Sequence, residues 1–261
     1  MFNRKIYICA DMHGSAQSIN SIISQIKNPS SEDVIIVAGD AGFEYQDCIM
    51  GSAKRASKQF PGYWIVMRGN HDSSYWKEHT HIENDIVIPD QGWDFQYNGF
   101  DVYLYQKKYP RILYVEDSGG IYTIGKYNFL FLPGAYSVDK EIRLMRGYPY
   151  NPTEQLTLQE QCDLLLITEG WNECESPIDY VIGHTFPLKM EPYYDFLFLD
   201  FIDQTNVDKS TEEWLDTMSR IYEKNYAFKY YFGGHMHADI RLDDKYIMVY
   251  QKVVDIDNYK E

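Results

Sequence analysis

Cysteine is scarce and scattered. The 261-residue chain holds four, Cys9, Cys48, Cys162 and Cys174, and none forms a C-x-x-C pair. This argues against a disulfide scaffold and a thiolate zinc site, and it fits reduced thiols in a cytosol. Long apolar runs are missing as well. No stretch approaches the roughly 18 consecutive apolar residues of a membrane helix, and the run at 6–10 is too short for a signal-peptide core. A soluble, cytoplasmic protein without membrane contact is expected. Positive charge is in short supply too: 24 Lys+Arg against 39 Asp+Glu leave a formal net charge of −15 and a pI near 4.8. Bulk binding of nucleic acid, which requires a basic surface to displace counterions, is therefore not expected. Linkers, low-complexity tracts and internal repeats are absent, so one domain over residues 1–261 is the economical division.

The remaining composition can build a core. Hydrophobic residues make up 44% and aromatics 16%, which excludes general disorder and favours strands. The first seventy residues repeat one theme: an apolar strand enters a polar turn, then a helix. A strand over 6–10 runs into Asp11-Met-His-Gly14. Ile19, Ile22, Ile23 and Ile26 then recur at the 3.6-residue period until Asn28-Pro29. A second strand over 34–38 enters Gly39-Asp40. A helical stretch around 52–59 leads to a third strand over 63–67, which enters Gly69-Asn70-His71-Asp72. This βαβαβ pattern puts polar groups at the C-terminal end of each strand, the edge where α/β sheets build their sites.

Farther along, aromatic and β-branched runs at 100–105, 112–115, 120–124 and 129–132 predict hairpins of a second, mostly antiparallel layer. Thr157 with Glu160 predicts a capped helix start, and Glu169 the end of that helix. Strands follow at 180–182 and 229–232. Between them lie an apolar stretch at 196–202 and a helix from Ser210 with Trp214, Leu215, Met218 and Ile221 on one face. A closing strand pair runs to Val254.

Five of the seven histidines, His13, His71, His184, His235 and His237, lie at expected strand ends. Taken singly, each is better explained by a loop polar group or a satisfied core histidine. The ordered set is harder to dismiss: Asp11-x-His13, Gly39-Asp40, Gly69-Asn70-His71-Asp72, Gly183-His184-Thr185 and Gly234-His235-x-His237 each follow a strand. Carboxylate, imidazole and amide donors without thiolate suit hard-to-borderline divalent ions such as Mn²⁺, Fe or Zn²⁺. Residues i and i+2 of an extended segment face one side. Asp11 with His13, and His235 with His237, are therefore expected to point inward together, and the neighbours Asn70 and His71 to point apart.

In this order, over residues 11–237, the five motifs resemble those of the calcineurin-like metallophosphoesterase superfamily. The resemblance implies an α/β fold, a four-layer α/β/β/α sandwich of two mixed β-sheets with a two-metal site at the sheet edge. By position, Asp11, His13, Asp40 and His237 would hold one ion. Asp40, as the bridge, would hold the other with Asn70, His184 and His235. Mn²⁺ is the first expectation for both, with Fe or Zn²⁺ as alternatives, and His71 would match the proton-donating histidine. The segment Gly134-Ala-Tyr-Ser-Val-Asp-Lys-x-x-Arg143 is similar to one in a bacterial and phage subgroup. One departure stands out. The protein-phosphatase branch carries an Asp-Arg pair that orients the histidine and grips phosphate, and here those positions are Phe43 and Glu44. This argues against protein-phosphatase activity and leaves Asp72 and Glu44 as candidates for the orienting carboxylate.

The expected activity is hydrolysis of a phosphomonoester by a metal-bridging hydroxide, with His71 and Asp72 as catalytic residues. A phosphorylated small molecule or a phosphopeptide would be the substrate. Arg68, Lys140 and Arg143 are candidates for substrate contacts, although Arg68 reads more readily as a structural ion-pair residue. A phosphodiesterase acting on cyclic nucleotides or nucleic-acid ends is the alternative, because the same metal pair serves both. A non-catalytic interaction protein on the same fold is a third reading, against which every expected ligand position carries a competent side chain. His79-Thr-His81 falls outside the ordered set and reads as a solvated loop pair. Tyr103-Leu-Tyr105 and Tyr193-Tyr194 read as sheet packing.

Overall fold

The computed structural model describes residues 4–44, 51–147, 150–171, 176–197 and 207–259. Cys48, Cys174 and most of the apolar stretch at 196–202 lie outside them. The chain begins with β1 (Ile6–Cys9), α1 (Ala16–Gln25), β2 (Val34–Ala38), α2 (Ser52–Gln59) and β3 (Tyr63–Met67), then a short α3 (Tyr75–His79). β1 and β2 are buried at every position, since a parallel strand covered on both faces has no polar side to offer. Next come β4 (Thr80–Glu83) and β5 (Ile86–Pro89), a separate hairpin, followed by β6 (Trp93–Asn98), β7 (Asp101–Gln106), β8 (Ile112–Tyr114), β9 (Gly120–Ile124) and β10 (Tyr127–Leu132). The rest comprises α4 (Lys140–Arg146), α5 (Leu158–Trp171), β11 (Tyr180–Gly183), α6 (Ser210–Asn225), β12 (Tyr230–Gly233), β13 (Ile240–Arg241), β14 (Tyr246–Met248) and β15 (Val254–Asp255).

The helix ends follow local chemistry. Ser15 caps α1 by accepting the N–H of Ser18 at 3.3 Å. At the start of α5, Thr157 N–H donates to Glu160 Oε2 at 2.8 Å and Glu160 N–H to Thr157 Oγ1 at 3.3 Å, a reciprocal capping box. α6 buries Trp214, Leu215, Met218 and Tyr222; Ile221, expected on that face, is only half-buried.

Among the described residues the strands form two large mixed sheets. The first runs in the order β15-β1-β2-β3-β8-β7-β6, the second β13-β14-β12-β11-β10-β9. The class and the mixed sheets are as the sequence predicts, but the central segment is not a layer of its own. β8 pairs parallel with β3, so β6, β7 and β8 extend the first sheet, whereas β9 and β10 open the second. Apolar alternation marks a strand and its wet face, but it does not name the partner. Three apolar clusters hold the layers together. One lies between the sheets, with Ile8, Ile36 and Met67 against Phe129, Ile182 and Phe232. A second packs Ile19, Ile22, Ala53 and Ala56 of α1 and α2 on the other face of the first sheet. The third packs Leu164, Leu215, Met218 and Tyr222 of α5 and α6 on the second sheet.

Candidate metal centre

The C-terminal ends of β1, β2 and β3 in one sheet meet those of β11 and β12 in the other. At that meeting point Asp40, 1% exposed, is central. Its Oδ2 lies 3.8 Å from His13 Nε2, 4.0 Å from His71 Nε2 and 3.6 Å from His184 Nε2. Asn70 Oδ1 lies 2.7 Å from His184 Nε2 and 3.2 Å from His235 Nδ1. His13 Nε2 and His237 Nε2 face each other at 2.9 Å. Ligand atoms of Asp11, His13 and His237 lie within 4.8 Å of one another, as do those of Asp11, Asp40 and His184. All seven expected ligands therefore converge, and the adjacent Asn70 and His71 turn to different partners, His184 and His235 for Asn70 and Asp40 and Arg143 for His71.

The way they converge differs from the extended pairing that the spacing predicts. Asp11, His13, Asp40, His235 and His237 all have positive φ, from 47° to 70°. Non-glycine residues avoid this left-handed region, and strain of this kind persists only where the surroundings enforce it. Here hydrogen bonds do so. Asp11 accepts the His235 N–H at 2.9 and 3.1 Å, and Asp40 Oδ1 accepts the His71 N–H at 2.9 Å. Gly69 is required by close approach: a Cβ there would stand 2.2 Å from Asp40 Oδ1.

The electrostatics call for a cation. His184 Nδ1 lies 2.9 Å from the Ala38 carbonyl and donates to it, which leaves Nε2 facing the oxygens of Asn70 and Asp40. Positive charge belongs among these oxygens, as a proton on Nε2 or as a metal ion that replaces it. Burial alone would depress the His184 pKa, yet the carboxylates of Asp40 and Asp11 push it up to about 9. Burial would raise Asp40, but His184, His71 and His13 hold it well below the usual carboxylate range. Asp11 is raised by burial. Burial lowers His235 and His237, with neighbouring imidazoles adding to the effect. Imidazoles that are neutral, as His235 and His237 are held, or that give up a proton to the ion, as His184 would, are the donors a divalent ion takes together with carboxylate and amide oxygens, and the residues fit such ions.

The other candidates separate. Asp72 does not orient His71. It accepts backbone N–H groups from Ala41, Gly42 and Gly69 at 3.3, 3.1 and 3.0 Å, tying the β2 and β3 turns together. Glu44 accepts the Tyr114 hydroxyl at 3.0 Å. Arg68 is buried, and its guanidinium holds the carbonyls of Thr153 and Asp117. Lys140 lies over the rings of Tyr136 and Tyr150 at 5.0 and 4.6 Å. Arg143 does reach the site: Nη2 stands 3.3 Å from His71 Nε2, with its Nε held by Asp139 at 2.8 Å. His79 stacks on Trp93 and His81 pairs with Asp90, both apart from the cluster. Tyr103 is buried in β7, as sheet packing requires, but Tyr193-Tyr194 is not in a sheet: it closes a 3₁₀ turn over Leu188–Tyr193, with Tyr194 buried and Tyr193 exposed.

Three residues escaped the sequence reading. Ser137 accepts from Asn70 Nδ2 at 2.8 Å, Glu154 accepts from Ser137 at 2.5 Å, and Tyr250 stacks on His237 with ring centroids 5.0 Å apart. Only Ser137 carried a signal, because it sits in the segment shared with the bacterial and phage subgroup.

No curated protein matches the chain significantly. Among solved structures, a phosphopantetheinyl hydrolase from Mycobacterium tuberculosis is 16% identical, with 95% of this chain and 90% of that one covered at a TM-score of 0.47. A protein of unknown function from Aquifex aeolicus is 14% identical, with 70% and 78% covered at a TM-score of 0.34. The family model for calcineurin-like phosphoesterases matches residues 4–239, from the strand before Asp11 to just beyond His237. The chain belongs to the calcineurin-like phosphoesterase family.

Proposed function

We propose that the protein hydrolyses a phosphomonoester, carried by a small molecule or a phosphopeptide, using two divalent cations. Mn²⁺ is the first choice, held by Asp11, His13, Asp40, Asn70, His184, His235 and His237. The observation that carries this is the meeting of Asp40 Oδ2 with three imidazole nitrogens at 3.6 to 4.0 Å. When bound, such ions stabilise charge on the phosphoryl oxygens and supply a nucleophile at neutral pH. Unpaired Cys9 and Cys162 suit a cytosolic setting.

The chain's own residues do the rest. His71 presents Nε2 to the centre and is the group to protonate the leaving oxygen, a contribution of ~10²–10⁴-fold. Burial keeps it neutral, with its pKa lowered to about 4, and Arg143 donates to Nε2. An arriving phosphoryl group would take over the guanidinium as a two-point donor and release Nε2. Its negative charge would raise the proton affinity of the imidazole, so that the released Nε2 takes a proton from solvent and then gives it to the leaving oxygen. A monoester dianion does both more strongly than a singly charged diester.

Protein stripped of metal and reloaded with Mn²⁺ tests this with p-nitrophenyl phosphate and its bis ester. The monoester should turn over faster, and R143A should raise its KM by ~10–100-fold, the worth of a hydrogen bond to a charged group. Turnover of the bis ester alone would favour the phosphodiesterase. No turnover of either with Mn²⁺, Fe²⁺ or Zn²⁺ would leave a non-catalytic binding protein.

A further inference from the structure

We propose that Ser137 and Glu154 are positioning residues that decide which end of the Asn70 amide faces the ion cluster. This rests on reading that cluster as a divalent-cation site. All three side chains are buried. Asn70 Nδ2 lies 2.8 Å from Ser137 Oγ, which lies 2.5 Å from Glu154 Oε2.

The amide nitrogen and oxygen of Asn70 have nearly the same size, so shape does not select between its two orientations. Polarity does. A carboxylate can only accept, so the Ser137 hydroxyl must donate to Glu154. The serine oxygen is then an acceptor, and an N–H of Asn70 satisfies it. Asn70 must therefore turn Oδ1 the other way, toward His184 Nε2 and His235 Nδ1 at 2.7 and 3.2 Å. A flipped amide would aim two N–H groups at a cation and leave the serine and amide oxygens facing each other. Burial raises the Glu154 carboxyl; hydrogen bonds from Ser137 and Tyr150 and the charge of Lys140 favour its ionised form.

The frame around this chain of bonds is firm. Tyr150 donates to Glu154 Oε1 at 3.2 Å, and Arg68 holds the carbonyl of the preceding Thr153. Gly134 N–H donates to the Arg68 carbonyl at 3.1 Å, and Ala135 N–H to that of Glu154 at 3.3 Å. Gly134 has φ +83°, and a Cβ there would meet the Glu154 carbonyl oxygen at 2.7 Å. Residues 134–137 can thus lie against 153–154 because that position is glycine. The same segment continues into α4 and delivers Arg143 to His71, so one stretch of chain addresses both members of the Asn70-His71 pair.

The test titrates metal-free protein with Mn²⁺ by calorimetry and with Co²⁺ by visible absorption, alongside thermal unfolding without metal. S137A should weaken one ion by ~10–100-fold, as loss of an outer partner of a metal ligand does, and alter the Co²⁺ bands of that site. E154Q, which keeps the volume, should act in the same direction by a smaller factor and serves if S137A fails to fold. N70A with S137A should bind no more weakly than N70A alone, because the two act as one unit. Wild-type affinity and Co²⁺ bands in both S137A and E154Q, with only the unfolding temperature lowered, would overturn the proposal. If wild-type protein takes up neither metal, the cation-site reading itself fails, and this proposal falls with it.

Discussion

His71 and Asp72 are neighbours with unrelated tasks. The imidazole of His71 stands 4.0 Å from Asp40 Oδ2 with Nε2 accepting from Arg143, while the carboxylate of Asp72 is committed to three backbone N–H groups. H71A should keep its Mn²⁺ and lose turnover by ~10²–10⁴-fold on alkyl phosphates, whose leaving oxygens need a proton. The loss on p-nitrophenyl phosphate should be much smaller, since that oxygen leaves unaided. Comparing kcat on the two substrates checks this, and equal losses would remove His71 from the acid role. Both residues sit in one short motif, and the sequence drew both into the reaction, His71 as proton donor and Asp72 as a candidate to orient it. Which one faces the cluster depends on the backbone beyond β3, which spacing along the chain does not report.

At the scale of the element, α6 carries a cost in its first turn. Glu212 is buried there; one carboxylate oxygen accepts from Thr185 at 3.0 Å, and the other has no partner among the described residues. Burial pushes its pKa up from 4.5 to about 7. Between those values the folded protein keeps a proton that the unfolded chain has released. Stability from this group therefore falls as pH rises from about 4.5 to about 7, and the penalty is complete above that. E212Q should be more stable than wild type at pH 8 by up to about 3 kcal/mol, and no more stable at pH 4. Denaturant midpoints at the two pH values measure it, and an unchanged gap between them would remove the titration as its cause. The helix itself was legible from Trp214, Leu215 and Met218, whereas the burial of its acidic first turn was not. Exposure of a helix terminus depends on what packs over it, and here that is the turn after β11.

At the scale of the whole molecule, two sheets each bring half of a charged cluster to a common edge. Asp11, Asp40 and Asp72 are all buried there, and both Asp11 and Asp72 are raised by burial and by the Asp40 charge. Cations that bind only the folded form would relieve that crowding. Mn²⁺ at a hundred times its dissociation constant should stabilise the protein by about 2.7 kcal/mol per site, seen as a higher unfolding temperature that a chelator reverses. An unfolding temperature indifferent to Mn²⁺ and chelator would count against ions at this edge.

Sequence alone set the early βαβαβ run, the capped start of α5 and the places of the seven candidate ligands at strand ends, the choice of those seven coming from the family resemblance. These follow from patterns the chain carries locally: apolar period, capping pairs, and polar residues just beyond strands. Tertiary structure alone decided that β6, β7 and β8 extend the first sheet, and that the ligands turn inward through left-handed backbone. It also decided that Ser137 and Glu154 stand behind Asn70, and that Arg143 rather than Arg68 reaches His71. Strand partners and side-chain neighbours are chosen by how surfaces fit across dozens of intervening residues. A hydrogen bond between positions 70 and 137 leaves no periodic trace in either segment.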